Sequence, residues 1–139
     1  MEPALARERF AAARRAHLAT AGPTGPHLVP ICFALAGNVL YSAVDRKPKA
    51  GRPSGQPLRR LENVRHEPRV AVLADHYEER WSRLWWVRAD GRARILTDGD
   101  ELASALASLA EKYEQYRAEP PLGPVLAVDV ERWSSWSGA

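Results

Sequence analysis

A single cysteine, Cys32, stands in 139 residues. One thiol excludes an internal disulfide framework and a tetrahedral cysteine zinc site. No apolar run approaches the roughly 20 residues a membrane helix needs. The N-terminal stretch carries Glu2, Arg7, Glu8 and Arg9 and lacks an apolar h-region, so no signal peptide is expected and the expected compartment is the cytoplasm. The four histidines, His17, His27, His66 and His76, form no H-x-x-x-H pair, which favours solvated or hydrogen-bonded imidazoles over metal ligands. The G-x-S-x-G elbow and the Rossmann and Walker glycine patterns are missing. Cys32 lies in an apolar stretch and reads as an inert small hydrophobe. Nothing here announces a nucleophile or a metal.

What is present is ordinary globular composition, 45% hydrophobic and 27% charged, in a length that suits one domain over 1–139. A net charge of +3 is too small to argue for nucleic acid. Its distribution says more. Arg46, Lys47, Lys49, Arg52, Arg59 and Arg60 follow one another with no acidic residue between them. Such a run is either a solvated cationic loop or a grip on a localised anion, and the free N–H groups of a helix starting near Leu58 add to the second reading. Five tryptophans are the other excess. Trp85 and Trp86 would point to opposite faces of a strand. They serve either core and subunit interface or a stacked planar ligand.

Periodicity places the elements. A helix is expected over Glu2–Arg15, with Pro3 in its first turn. Strands are expected at His17–Thr20, His27–Ala36 and Val39–Val44, separated by the turn-rich Ala21–Pro26 and by Gly37-Asn38. Pro30, lacking an N–H, marks an edge or a bulge. A polar loop, Asp45–Gln56, leads to a short helix ending near His66. Strands follow at Arg69–Ala74, Leu84–Val87 and Ala93–Leu96, with Asp90-Gly91 as a bend or turn. Leu102, Leu106, Leu109, Tyr113 and Tyr116 line one face of a helix from about Asp98 to Arg117, with Thr97 as its N-cap. A last strand covers Pro124–Val130. Hairpin-length connections make the sheet antiparallel, and a small barrel with helices outside fits the order.

Taken in order, these pieces resemble a known family. Leu18-Ala19-Thr20, Pro26-His27-Leu28-Val29-Pro30, Leu40–Asp45 with Lys47-Pro48-Lys49, and Leu58–Asn63 with Pro68-Arg69-Val70 resemble the pyridoxamine 5′-phosphate oxidase-like split β-barrel. Asp75-His76-Tyr77, Trp81, Leu84–Gly91, Tyr113, Tyr116 and the Trp133/Trp136 tail are similar to its actinobacterial F420-dependent subgroup. The resemblance implies an α+β, mainly β fold: a six-stranded antiparallel split β-barrel of the FMN-binding type with flanking helices. It implies a homodimer with the cofactor, F420 or alternatively FMN, at the subunit interface. Val29, Pro30, Ile31 and Cys32 would lie under the ring. Ser42, Ala43, Val44 and Asp45 would line the ribityl and phosphate path. Lys47 and Lys49, with Arg59 or Arg60, would hold the phosphate and the tail carboxylates. Trp85 or Trp86, or the partner's Trp136, would wall the ring.

The activity implied is hydride transfer between reduced F420 and a small conjugated or unsaturated acceptor. An FMN oxidase or flavin reductase and a non-catalytic cofactor carrier are the rivals; no nucleic acid or membrane partner is expected. Pyridoxamine phosphate oxidases proper are longer and carry further C-terminal arginines, so vitamin B6 oxidation is not expected.

Overall fold

The computed structural model describes residues 1–44 and 58–139. Asp45, Lys47 and Lys49 of the expected site lie outside the described residues. A helix α1 (Pro3–Ala12) precedes strands β1 (Ala16–Gly22), β2 (Gly25–Ile31), β3 (Ala34–Ala36) and β4 (Val39–Ala43). Helix α2 (Arg59–His66), strand β5 (Arg69–His76), a single 3-10 turn (Trp81–Arg83) and strand β6 (Trp85–Leu96) follow. Helices α3 (Gly99–Lys112) and α4 (Glu114–Ala118) and strand β7 (Val125–Ser137) complete the order.

The expected six strands are seven among the described residues, all antiparallel, in the order β2-β1-β5-β6-β7-β4-β3. Against the seven strands read from periodicity the count is unchanged, because Leu84–Val87 and Ala93–Leu96 join into one while the run His27–Ala36 breaks in two at Cys32-Phe33. Its first half pairs with β1 and its second with β4, at opposite edges of the sheet. The hydrogen-bonded order is therefore linear rather than closed. Three peptide steps join Ile31 to Ala34, so the two edges come within about 11 Å of each other at that point. The sheet must curl strongly, and it wraps its apolar face inward.

That inner face carries Leu18, Val72, Val87, Leu40, Leu126 and Val128, all fully buried. Phe10 of α1 plugs it, its ring 5.0 Å from both Phe33 and Trp133. A second cluster lies outside, where Ala105 and Leu109 of α3 cover Tyr41, Val125 and Ala127. β7 runs between the two clusters, which is why Val125–Val128 are buried without alternation.

Three further expectations change. Leu84–Val87 and Ala93–Leu96 belong to one strand, and Asp90-Gly91 is a bulge within it. A Cβ on Gly91 would lie 2.2 Å from the Asp129 carbonyl oxygen, so glycine lets β7 pass close by. The long helix stops at Lys112 because Tyr113 is extended (φ −117°, ψ 117°), and Asp98, not Thr97, takes the N-cap position. The tryptophan tail is ordered as the second half of β7, against β6.

Candidate functional site

The corner between β2 and β3 draws two parts of the expected site together. The Ser42 hydroxyl donates to the Cys32 carbonyl oxygen at 2.8 Å, tying the residues expected beneath the ring to those expected along the phosphate path. Cys32 is exposed at this corner and does not lie within a strand, contrary to the sequence expectation, because the chain leaves β2 there to change edges. Tyr113, at the break between α3 and α4, accepts a bond from the Phe33 N–H at 3.0 Å. Its own hydroxyl proton faces the carbonyl oxygens of Arg14 (3.0 Å) and Phe33 (3.1 Å). Ser42 is buried in β4 opposite Leu126, Ala43 lies opposite Val125, and Val44 donates its N–H to the Pro124 carbonyl at 2.9 Å.

Strand alternation sorts the β2 residues. Val29 pairs with Leu18 and Ile31 with Ala16, and both face the core. Pro30 faces outward in a row that crosses the sheet in register: Pro30, His17, Leu73, Arg88, Ser134. The next row on that face is Asp75, Trp86 and Trp136. Pro30 and Trp86 thus share a face, with β1 and β5 between their strands, about 14 Å apart across the sheet at ordinary strand spacing and one row apart along it.

Trp86 and Trp136 stand directly opposite each other and, with Leu73, Tyr77 and Arg88, border a groove of about 260 Å³. The Arg88 guanidinium lies 5.8 Å from the Trp86 ring centroid. Trp136 keeps 46% of its surface exposed and Leu28, farther along the same face, keeps 68%. Trp85 goes the other way, as alternation requires, and packs against the main core cluster.

The cations gather at the far hairpin. α2 packs on β1, its Asn63 amide donating to the Thr20 hydroxyl at 3.0 Å and filling the space above Gly22. Consecutive helical positions point in different directions, so Arg59 is exposed and Arg60 buried. Arg59 donates to the Thr24 hydroxyl at 2.8 Å. His27 of β2 lies in the field of both arginines. Burial first, then Arg59 and Arg60, hold its imidazole below the usual histidine range. Its Nδ1 is buried and has no hydrogen-bond partner among the described residues. Two guanidinium groups beside an imidazole nitrogen that lacks a partner among the described residues suit an anion, which could accept from both kinds of donor. A phosphate-bearing cofactor fits this set. Sequence spacing missed His27, because 31 intervening residues separate it from Arg59 and no local pattern marks it.

Among the described residues no group of three or more His, Cys, Asp and Glu side chains is placed to hold a metal ion. No helix among them is long and apolar enough to cross a membrane.

The fold recurs in solved structures. A conserved hypothetical protein from Mycobacterium tuberculosis is 22% identical, with a TM-score of 0.78 over 99% of this chain and 86% of its own. An FAD-binding protein from Mesorhizobium loti is 21% identical, with a TM-score of 0.72 over 97% of this chain and 94% of its own. The heme storage protein HutZ from Vibrio cholerae is 15% identical, with a TM-score of 0.70 over 98% and 93%. At these identities the likeness is one of fold. No curated protein matches the sequence. The sequence itself matches the family described as pyridoxamine 5′-phosphate oxidase over residues 3–137. That span takes in all seven strands, and the chain belongs to the pyridoxamine 5′-phosphate oxidase family.

Proposed function

We propose that this protein is a cytoplasmic, homodimeric oxidoreductase that holds a phosphate-bearing ring cofactor and passes a hydride between reduced F420 and a small conjugated or unsaturated acceptor. The observation that carries the reading is the cationic hairpin, where Arg59 and Arg60 meet His27, whose Nδ1 has no hydrogen-bond partner among the described residues, on the side of β2 opposite Pro30 and Leu28. The bound cofactor would supply the hydride chemistry. The chain's own part is to bind, orient and keep out water. Arg59 and Arg60 would hold phosphate oxygens, with Lys47 and Lys49 along the acidic tail. Pro30 and the Cys32–Ser42 corner would set the position of the ring, and the Trp86–Trp136 groove would close it off. A second copy of the chain would cover Leu28 and Trp136, which are costly to leave in water. Family membership supports a cofactor of this kind.

The second reading keeps the fold and replaces F420 by FMN, with oxidase or flavin reductase activity. It is favoured by the FAD-binding protein among the structural relatives.

Titrating the purified protein separately with F420 and FMN, followed by tryptophan quenching, decides between them. Micromolar binding of F420, weakened at least about tenfold in Arg59→Gln and in the double variant Lys47→Ala/Lys49→Ala, is expected; tenfold corresponds to about 1.4 kcal/mol. Tight FMN with no F420 binding overturns the F420 assignment and leaves the second reading. Failure to bind either overturns both.

A further inference from the structure

A second cavity, of about 390 Å³, opens on the other side of Trp85, between α1, the end of β5, the 3-10 turn and the end of β7. Its size lies within the range of small-molecule sites. Trp85 forms one wall. The His76 ring lies against that indole, with centroids 6.4 Å apart and 22° between the planes. The Arg9 guanidinium sits over the same indole, 5.7 Å from its centroid. Leu5 and Leu84 add apolar walls.

The charges around this cavity do not balance. Arg9, Arg83 and the Met1 ammonium face two carboxylates, that of Ala139 at the end of the chain and that of Glu78, which is shared between His76 Nε2 at 2.5 Å and Arg83 Nη1 at 4.0 Å. Arg9 is half-buried, and the contact it makes besides Trp85 is with the Met1 sulfur at 3.8 Å, a weak acceptor. It has no carboxylate partner among the described residues. A guanidinium fixed by an aromatic face, partly out of water and lacking an anion, is a prepared half of a charge-assisted pair.

We propose that this cavity is a binding site for a small organic acid with a flat, apolar body. The acid group meets Arg9, with Arg83 and the Ser82 hydroxyl at the rim, and the flat body packs along Trp85, Leu5 and Leu84. This site is distinct from the cationic hairpin, since none of its walls comes from α2 or β2. Trp85, His76 and Leu84 border the Trp86–Trp136 groove as well, so the two cavities are neighbours across one indole.

The test is a titration of the full chain, with no cofactor added, using 2-naphthoate and its neutral amide, 2-naphthamide. Saturable 1:1 binding of naphthoate, at least about tenfold tighter than the amide, is expected; that ratio corresponds to about 1.4 kcal/mol. Arg9→Gln weakens naphthoate at least tenfold, and Arg83→Gln, on an exposed turn where folding is not at stake, weakens it several-fold. Lys47→Ala/Lys49→Ala, the variant that tests cofactor binding, leaves naphthoate affinity unchanged. Equal affinity for acid and amide, no saturation, or wild-type binding by both arginine variants overturns the proposal. So does loss of naphthoate binding in the lysine variant, which would place the acid at the cofactor site instead.

Discussion

The hydroxyl of Tyr113 and the backbone of Phe33 are bonded twice over, with the Phe33 N–H donating to the phenol oxygen at 3.0 Å and the Phe33 carbonyl 3.1 Å away. Phe33 belongs to neither adjoining strand, so its peptide groups have no ladder to satisfy them. The tyrosine stands in for a neighbouring strand at the one place where the sheet changes edges. Tyr113→Phe strands a buried donor and is expected to cost about 1–3 kcal/mol in urea denaturation. A loss below about 0.5 kcal/mol would mean that water or another group replaces the phenol.

Arg94 bridges Glu101 and Asp129, and the Tyr41 hydroxyl also donates to Glu101, at 2.9 Å. The Arg94 guanidinium, then Tyr41, hold the Glu101 carboxyl down to about 2, against an ordinary value of 4.5. A carboxylate depressed in the folded state binds fewer protons there than in the unfolded chain. Its contribution is complete above about 4.5 and is lost as pH falls towards about 2. Urea midpoints measured across that window should fall less steeply for Glu101→Gln than for the wild type. Parallel curves would show that the bridge carries no linkage.

Lys112 ends α3 with its Nζ 3.8 Å from the Phe33 ring centroid, buried and without a hydrogen-bond partner among the described residues. Burial, then the charge of Arg14, lowers its ammonium to about 8 from 10.5. The folded state releases this proton before the unfolded state does, so this group makes stability rise with pH between about 8 and 10.5. Reductive methylation with ¹³C-formaldehyde should reveal a dimethyl-lysine resonance titrating near 8 that disappears in Lys112→Arg. A Lys112 resonance titrating near 10.5 would refute the burial argument.

Gly91→Ala would push a methyl group against the Asp129 carbonyl inside the β6–β7 pairing. A cost of about 1–3 kcal/mol is expected by thermal or urea unfolding. Gly22→Ala meets the Asn63 side chain rather than backbone and should cost less, its cost being the Asn63–Thr20 hydrogen bond that the displaced amide gives up. The reverse order would place the flexible neighbour at the wrong glycine.

Much of this architecture is legible from local pattern. The apolar face of α3, the turn after Ala21 and the short helix after Leu58 follow from spacing alone, because nearest neighbours decide them. The division at Cys32-Phe33 is not, since apolar character continues across it and only the two partner strands pull the halves apart. Asp90-Gly91 misleads for a related reason: the same dipeptide serves a turn or a bulge, and the close passage of β7 selects the bulge. Of the candidate site, the link between Cys32 and Ser42 joins residues expected to lie near each other. The meeting of His27 with Arg59 and Arg60 depends on α2 docking on β1, which no periodicity encodes. Val29 and Ile31 turn inward while Pro30 turns out, a distinction that register alone supplies.

β2 is an edge strand that contains both Pro26 and Pro30, on alternate residues either side of Leu28. Proline holds its place in a ladder only where its missing N–H would have faced away from the partner strand. Among the described residues the free side of β2 therefore offers the Leu28 N–H as its one donor from Pro26 to Pro30, beside the carbonyls of those alternate residues, to a strand arriving from another molecule. An edge stripped of donors in this way resists templated cross-β growth, so the strand that opens the sheet also guards it against fibril formation.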